Sequence, residues 1–134
     1  RISFLMNDVL EGFMKNGVAG RKSSFLNRED IAGKTGTTND SISTWFSGYH
    51  SDLVTTVWVG NDDFTSLGEN EYGSTIALPI WINYMDYKLE SLEASSEEIP
   101  EKISFVRVNR SSGEVDDDLN GDFYFELFLD ENIN

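Results

Sequence analysis

The chain has 134 residues, no cysteine, 13% aromatic residues and a formal net charge of −14. The length suits one domain with an apolar core, and no run of residues is long and apolar enough to read as a membrane span or a signal peptide. So acidic a chain is a poor partner for nucleic-acid phosphates or anionic lipid surfaces, and without cysteine there is no disulfide or thiol chemistry.

Ile2, Leu5, Met6, Val9, Leu10, Phe13 and Met14 recur at helical spacing and predict an amphipathic helix over 2–15. Asn16-Gly17 should end it, since both residues tolerate left-handed backbone. Residues 17–28 are polar and punctuated by glycine, which predicts a connecting loop. Three strands follow at 30–37, 44–50 and 53–60, the last two joined by a tight turn at His50-Ser51-Asp52. Residues 61–73 read as an exposed loop. Leu78, Trp81, Ile82, Met85, Leu89 and Leu92 restore helical spacing over about 74–92, with Pro79 near the first turn, where its missing N–H costs least. Residues 95–100 look like a linker, and 103–108 and 123–129 read as further strands. The charge is uneven along this order: residues 1–85 carry ten acids and six bases, residues 86–134 fourteen and four. The tail therefore reads as a solvated acidic extension.

The most informative stretch is Gly33-Lys34-Thr35-Gly36-Thr37-Thr38-Asn39-Asp40. Lys-Thr-Gly is one of three short signatures of enzymes that form an acyl-serine with penicillin. Its context is more specific than the tripeptide: Asp30-Ile31-Ala32 before it, then Trp45-Phe46-Ser47-Gly48-Tyr49, Val57-Trp58-Val59-Gly60-Asn61-Asp62-Asp63 and Ala77-Leu78-Pro79-Ile80-Trp81. In that order, from about Phe4 to Met85, the chain resembles the C-terminal part of the transpeptidase domain of class A penicillin-binding proteins. The other two signatures are missing. No lysine has a serine three residues before it, and no asparagine has a serine two before it. The chain thus resembles one wall of an active site without its nucleophile. Arg1 in place of Met, leading directly into a helical pattern, is what an excised piece of a longer protein would show.

The resemblance implies an α+β fold, part of the serine β-lactamase and DD-transpeptidase-like architecture, with antiparallel strands carrying the Lys-Thr-Gly motif between two helices. Residues 1–93 would belong to that domain and 94–134 to a C-terminal extension. It implies a catalytic part for Lys34, whose charge would assist proton transfer at a serine outside this chain, and for Thr37, whose N–H would form half of an oxyanion hole. The hydroxyls of Thr35 and Thr37 would hold the terminal carboxylate of a D-Ala-D-Ala stem peptide or of a β-lactam. Gly36 would let substrate lie against the backbone, and Thr38 would be a further substrate-binding residue. No cofactor is implied. The implied parent carries a membrane anchor and a glycosyltransferase domain, works outside the cytoplasmic membrane, cross-links peptidoglycan through an acyl-enzyme and is inactivated by β-lactams. This chain alone would be inert, and stable only beside the missing half of its domain. Rival readings are a serine β-lactamase or carboxypeptidase fragment, and a non-catalytic module that binds peptidoglycan or a partner.

Two departures from the family pattern stand out. Ser43-Thr44 replaces the usual Asp-Ala before Trp-Phe, and Tyr72 stands where a second glycine is common. Trp45, Trp58 and Trp81 are expected in the core, and His50, the only histidine, at the surface of its turn. Asp116, Asp118 and Asn120 open like a calcium loop, but the closing carboxylate, Glu126, comes one residue early, so a solvated acidic turn is the better expectation.

Overall fold

The computed structural model describes residues 1–115 and 121–133. Its elements run α1 (Ile2–Asn16), α2 (Gly20–Ser23), β1 (Ala32–Thr37), β2 (Ser43–His50), β3 (Leu53–Gly60), α3 (Ala77–Leu89), β4 (Ile103–Asn109) and β5 (Phe123–Leu129). Both sheets are antiparallel, one of three strands in the order β1-β2-β3 and one of two, β4-β5. Two compact units emerge, Asn7–Ser96 and a smaller one made of Arg1–Met6 with Glu97–Asn134.

In the larger unit, α3 lies against β2 and β3. Phe46 and Trp81 are both fully buried and meet at 4.9 Å between ring centroids, and the Trp81 indole N–H donates to the Thr55 carbonyl at 3.1 Å. Met14, Leu26, Ile31, Leu78, Met85 and Leu89 complete the core. Thr44 and Phe46 alternate with Trp45 and Ser47 along β2, so only the first pair faces α3.

That parity corrects the expectation for two tryptophans. Trp81 is in the core, but Trp45 and Trp58 are 43% and 44% exposed, paired edge-to-face across β2 and β3 at 6.3 Å on the side of the sheet turned away from α3. Strand composition shows which residues share a face; only the position of α3 decides which face is inside.

The segment expected as a loop over 17–28 is also more ordered. It holds α2 and a 3-10 turn at Ser24–Leu26, closed by Asn27 in the left-handed region at φ 46°. The buried Ser23 hydroxyl ties this turn to the Met14 carbonyl at 2.5 Å, a contact between neighbouring elements that apolar periodicity does not register. Leu92 lies beyond α3.

The smaller unit is a hairpin with Val106 and Val108 buried and the Arg107 guanidinium 5.0 Å from the Phe123 ring centroid. Arg1 pairs with Glu131 at 2.9 Å. Glu126 sits in β5 opposite Val106, while Asp116, Asp118 and Asn120 of the candidate calcium loop lie outside the described residues.

Candidate functional site

Lys34, Thr35, Gly36 and Thr37 occupy consecutive positions of β1, which pairs only with β2 and so forms the edge of its sheet among the described residues. The Thr38 N–H donates to the Ser43 carbonyl at 3.0 Å, which fixes the hydrogen-bonding parity of the ladder. Counting back, Gly36, Lys34 and Ala32 bond to β2, while the N–H groups of Thr37, Thr35 and Gly33 point to the open edge. An antiparallel register with this parity points a row of backbone donors away from β2, where, among the described residues, no strand pairs with them and an extended ligand could.

Side chains divide in the same way. Thr35 and Thr37 share one face, Lys34 and Gly36 the other. The Thr37 hydroxyl accepts the Gly73 N–H at 3.0 Å. Lys34 is exposed, with Nζ 3.2 Å from the Thr35 carbonyl and 4.8 Å from the centroid of the Phe13 ring. Phe13 reads in the sequence as one more apolar position of α1, and nothing there announces that its ring sits beneath the lysine. Thr38 stands apart from the other three. Its hydroxyl accepts the Ser43 N–H at 2.8 Å and donates to the Ser43 carbonyl at 3.1 Å, closing the end of the strand pair.

His50 does not lie on the surface as expected: it is 1% exposed. Its Nδ1 accepts the Asp52 N–H at 3.3 Å, and its Nε2 lies 3.2 Å from both Asp30 Oδ2 and Arg28 Nη2. Arg28 grips the same carboxylate and also donates to the carbonyls of Leu89, Leu92 and Glu93, which close the C-terminal end of α3. The Arg28 guanidinium holds the Asp30 carboxyl well below the usual carboxylate range against the opposing effect of burial, with help from the Ser95 N–H; Asp30 in turn raises Arg28. This cluster is a structural clamp joining the start of β1, the end of β2 and the end of α3. A chain reader sees only a polar turn and two charges twenty residues away.

Among the described residues no group of three or more His, Asp or Glu side chains is placed to hold a metal ion, and no helix is long and apolar enough to cross a membrane.

No family model matches the chain. Over 131 residues it is 44% identical to penicillin-binding protein 1A of Pseudomonas aeruginosa, covering 98% of this chain and 16% of that protein. Over 103 residues it is 40% identical to penicillin-binding protein 1A of Neisseria gonorrhoeae, covering 77% and 13%. The crystal structure of penicillin-binding protein 1A from Haemophilus influenzae superposes with a TM-score of 0.86 at 32% identity, covering 96% of this chain and 20% of that one. The chain therefore spans less than a fifth of the length of the curated relatives it matches. Sequence and α+β fold agree over nearly all of it, and the chain belongs to the class A penicillin-binding proteins, matching one part of them.

Proposed function

We propose that this chain is the Lys-Thr-Gly-Thr wall of a serine DD-transpeptidase, the C-terminal portion of a membrane-anchored, bifunctional penicillin-binding protein that cross-links peptidoglycan outside the cytoplasmic membrane. Residues 1–93 belong to the transpeptidase domain, of serine β-lactamase-like fold, and 94–134 to an acidic extension. The observation that carries this reading is the open edge of β1, where the outward Thr37 N–H and the hydroxyls of Thr35 and Thr37 lie on one strand, with Lys34 immediately before them.

Each group has a physical role in acyl transfer. An N–H aimed at an open edge can stabilise the oxyanion of a tetrahedral intermediate, a second donor coming from the nucleophile's own backbone. Two hydroxyls two residues apart on one strand fit the two oxygens of a carboxylate, which both D-Ala-D-Ala and β-lactams carry. Lys34 adds positive charge beside them in a chain that is otherwise strongly acidic, favouring an anionic substrate and proton transfer at a neighbouring serine. The serine itself lies elsewhere in the parent protein, since the Ser-x-x-Lys and Ser-x-Asn signatures are missing from these residues. Thr38, with both hydrogen-bonding capacities of its hydroxyl engaged by Ser43, closes the strand pair.

The test is acylation of the full-length protein with labelled penicillin, followed by mass spectrometry of its peptides. The adduct is expected outside these residues. Lys34→Ala should slow acylation about a hundredfold, in line with the loss of a group assisting proton transfer. The isolated chain should take no label. An adduct within these residues, or full reactivity of Lys34→Ala, would overturn the reading. A full-length protein that takes no label at all would favour a non-catalytic peptidoglycan-binding module.

A further inference from the structure

The Thr37 hydroxyl is held from behind by a residue 36 positions along the chain. The Gly73 N–H donates to Thr37 Oγ1 at 3.0 Å, and Gly73 itself is buried against β1 and β2. An added Cβ there would stand 2.5 Å from the Trp45 carbonyl oxygen, 2.7 Å from the Gly36 carbonyl oxygen and 3.2 Å from the Thr35 Cβ. Two of those obstacles are backbone atoms of the strand ladder, which cannot swing aside.

The turn that presents Gly73 is itself braced. The Tyr72 N–H donates to Thr75 Oγ1 at 2.8 Å, the Thr75 N–H returns to the Tyr72 carbonyl at 3.0 Å, and the Leu78 N–H donates to the Gly73 carbonyl at 2.8 Å. Further back, the same connection is pinned to the β1–β2 turn by Ser66, whose hydroxyl donates to the Asp40 carbonyl at 2.6 Å, and by the Leu67 N–H to the Ser41 carbonyl at 2.9 Å. A hydroxyl whose lone pair is taken by an N–H must direct its own proton elsewhere. For Thr37, an exposed residue, that direction is outward from the strand, where an anionic oxygen would accept it.

We propose that Gly73 is a positioning residue for the carboxylate-binding threonines: its N–H orients the Thr37 hydroxyl as a donor, and its missing side chain lets the turn approach closely enough to do so. This rests on the transpeptidase reading above. In a Gly73→Ala protein the turn must retreat by about half an ångström or more, which breaks or lengthens the bond to Thr37.

The test compares acylation of the full-length protein by benzylpenicillin and by its methyl ester, which lacks the anionic carboxylate. Gly73→Ala should slow the acid about tenfold relative to the ester, and Thr37→Val should lower the same acid-to-ester ratio. If Gly73→Ala does not fold, Thr75→Val, an exposed site that loosens the same turn, should show a smaller loss confined to the acid. Equal losses for acid and ester, or no loss, would overturn the positioning role. The two readings fail differently: Thr37→Val losing no preference for the acid sinks the carboxylate site and this proposal together, whereas acid-selective loss in Thr37→Val but not in the turn variants sinks this proposal alone.

Discussion

The Arg28 guanidinium holds the Asp30 carboxylate with two parallel hydrogen bonds, Nε to Oδ1 at 2.8 Å and Nη2 to Oδ2 at 2.7 Å, and both side chains are largely buried. Planar, bidentate, charge-assisted pairing of this kind is the strongest form such a contact takes. The same carboxylate also receives the Ser95 N–H at 2.7 Å, so one anion fastens three elements.

Asp30→Asn should therefore destabilise the protein by about 3 kcal/mol at neutral pH, because it leaves a buried guanidinium without its counter-charge. The pH dependence follows from the lowered Asp30 pKa. A carboxyl depressed by folding stabilises the native state fully above its unfolded value, near pH 4, and this contribution is lost as pH falls further. Urea unfolding of wild type and Asp30→Asn should differ most at pH 7 and by progressively less as pH falls below about 4. A difference that stays constant between pH 7 and pH 3 would contradict the clamp.

Gly48 lies under the Trp81 indole. A Cβ added there would come within 2.5 Å of Trp81 Cζ2 and 2.9 Å of Phe46 Cε1. Gly48→Ala should cost about 2 kcal/mol through overpacking. Combined with Trp81→Phe, which makes room at the same spot, the cost of the alanine should fall by about half, a coupling that a double-mutant cycle of unfolding energies would read.

The Thr44 hydroxyl is fully buried and has no hydrogen-bond partner among the described residues. Burying such a group unpaired is unfavourable, and valine has the same shape without it. Thr44→Val should raise the stability of the protein by about 1 kcal/mol, seen as a higher midpoint in urea. An unchanged or lower midpoint would mean that the hydroxyl is satisfied in solution.

Trp45 and Trp58 are half-exposed on the face of the sheet turned away from α3, and Trp81 is sealed against the other face. With the isolated chain first shown to be folded by far-UV circular dichroism, acrylamide should quench the fluorescence of the first two strongly. A Trp45→Phe, Trp58→Phe double variant should retain a blue-shifted, quencher-resistant emission from Trp81 alone. Both positions are half-exposed, so that variant should unfold within about 1 kcal/mol of wild type.

Much of the chain was legible one element at a time. Apolar residues at 3.6-residue spacing located α1 and α3, the Lys-Thr-Gly signature marked β1, aromatic and β-branched runs located β2 and β3, and the polar turn at His50-Ser51-Asp52 located the hairpin between them, because these signals depend on neighbours within a few positions. The order of Lys34-Thr35-Gly36-Thr37 and its flanking motifs was likewise enough to point to the family. What escaped the sequence were relationships across long separations. Alternation along β2 says that Trp45 and Phe46 face opposite ways, but the choice of the inner face waited on α3, some thirty residues later. His50 looked like a polar turn residue until Arg28, Asp30 and the end of α3 closed over it. The approach of Gly73 to Thr37 carries no local signature, since a glycine beside a tyrosine in a loop reads the same whether or not it touches a strand. Local backbone preference and side-chain parity were thus set by the sequence within each element. Which face is buried, which charge is paired and which hydroxyl is aimed were decided by packing between elements, where the free energy of burial depends on partners far along the chain.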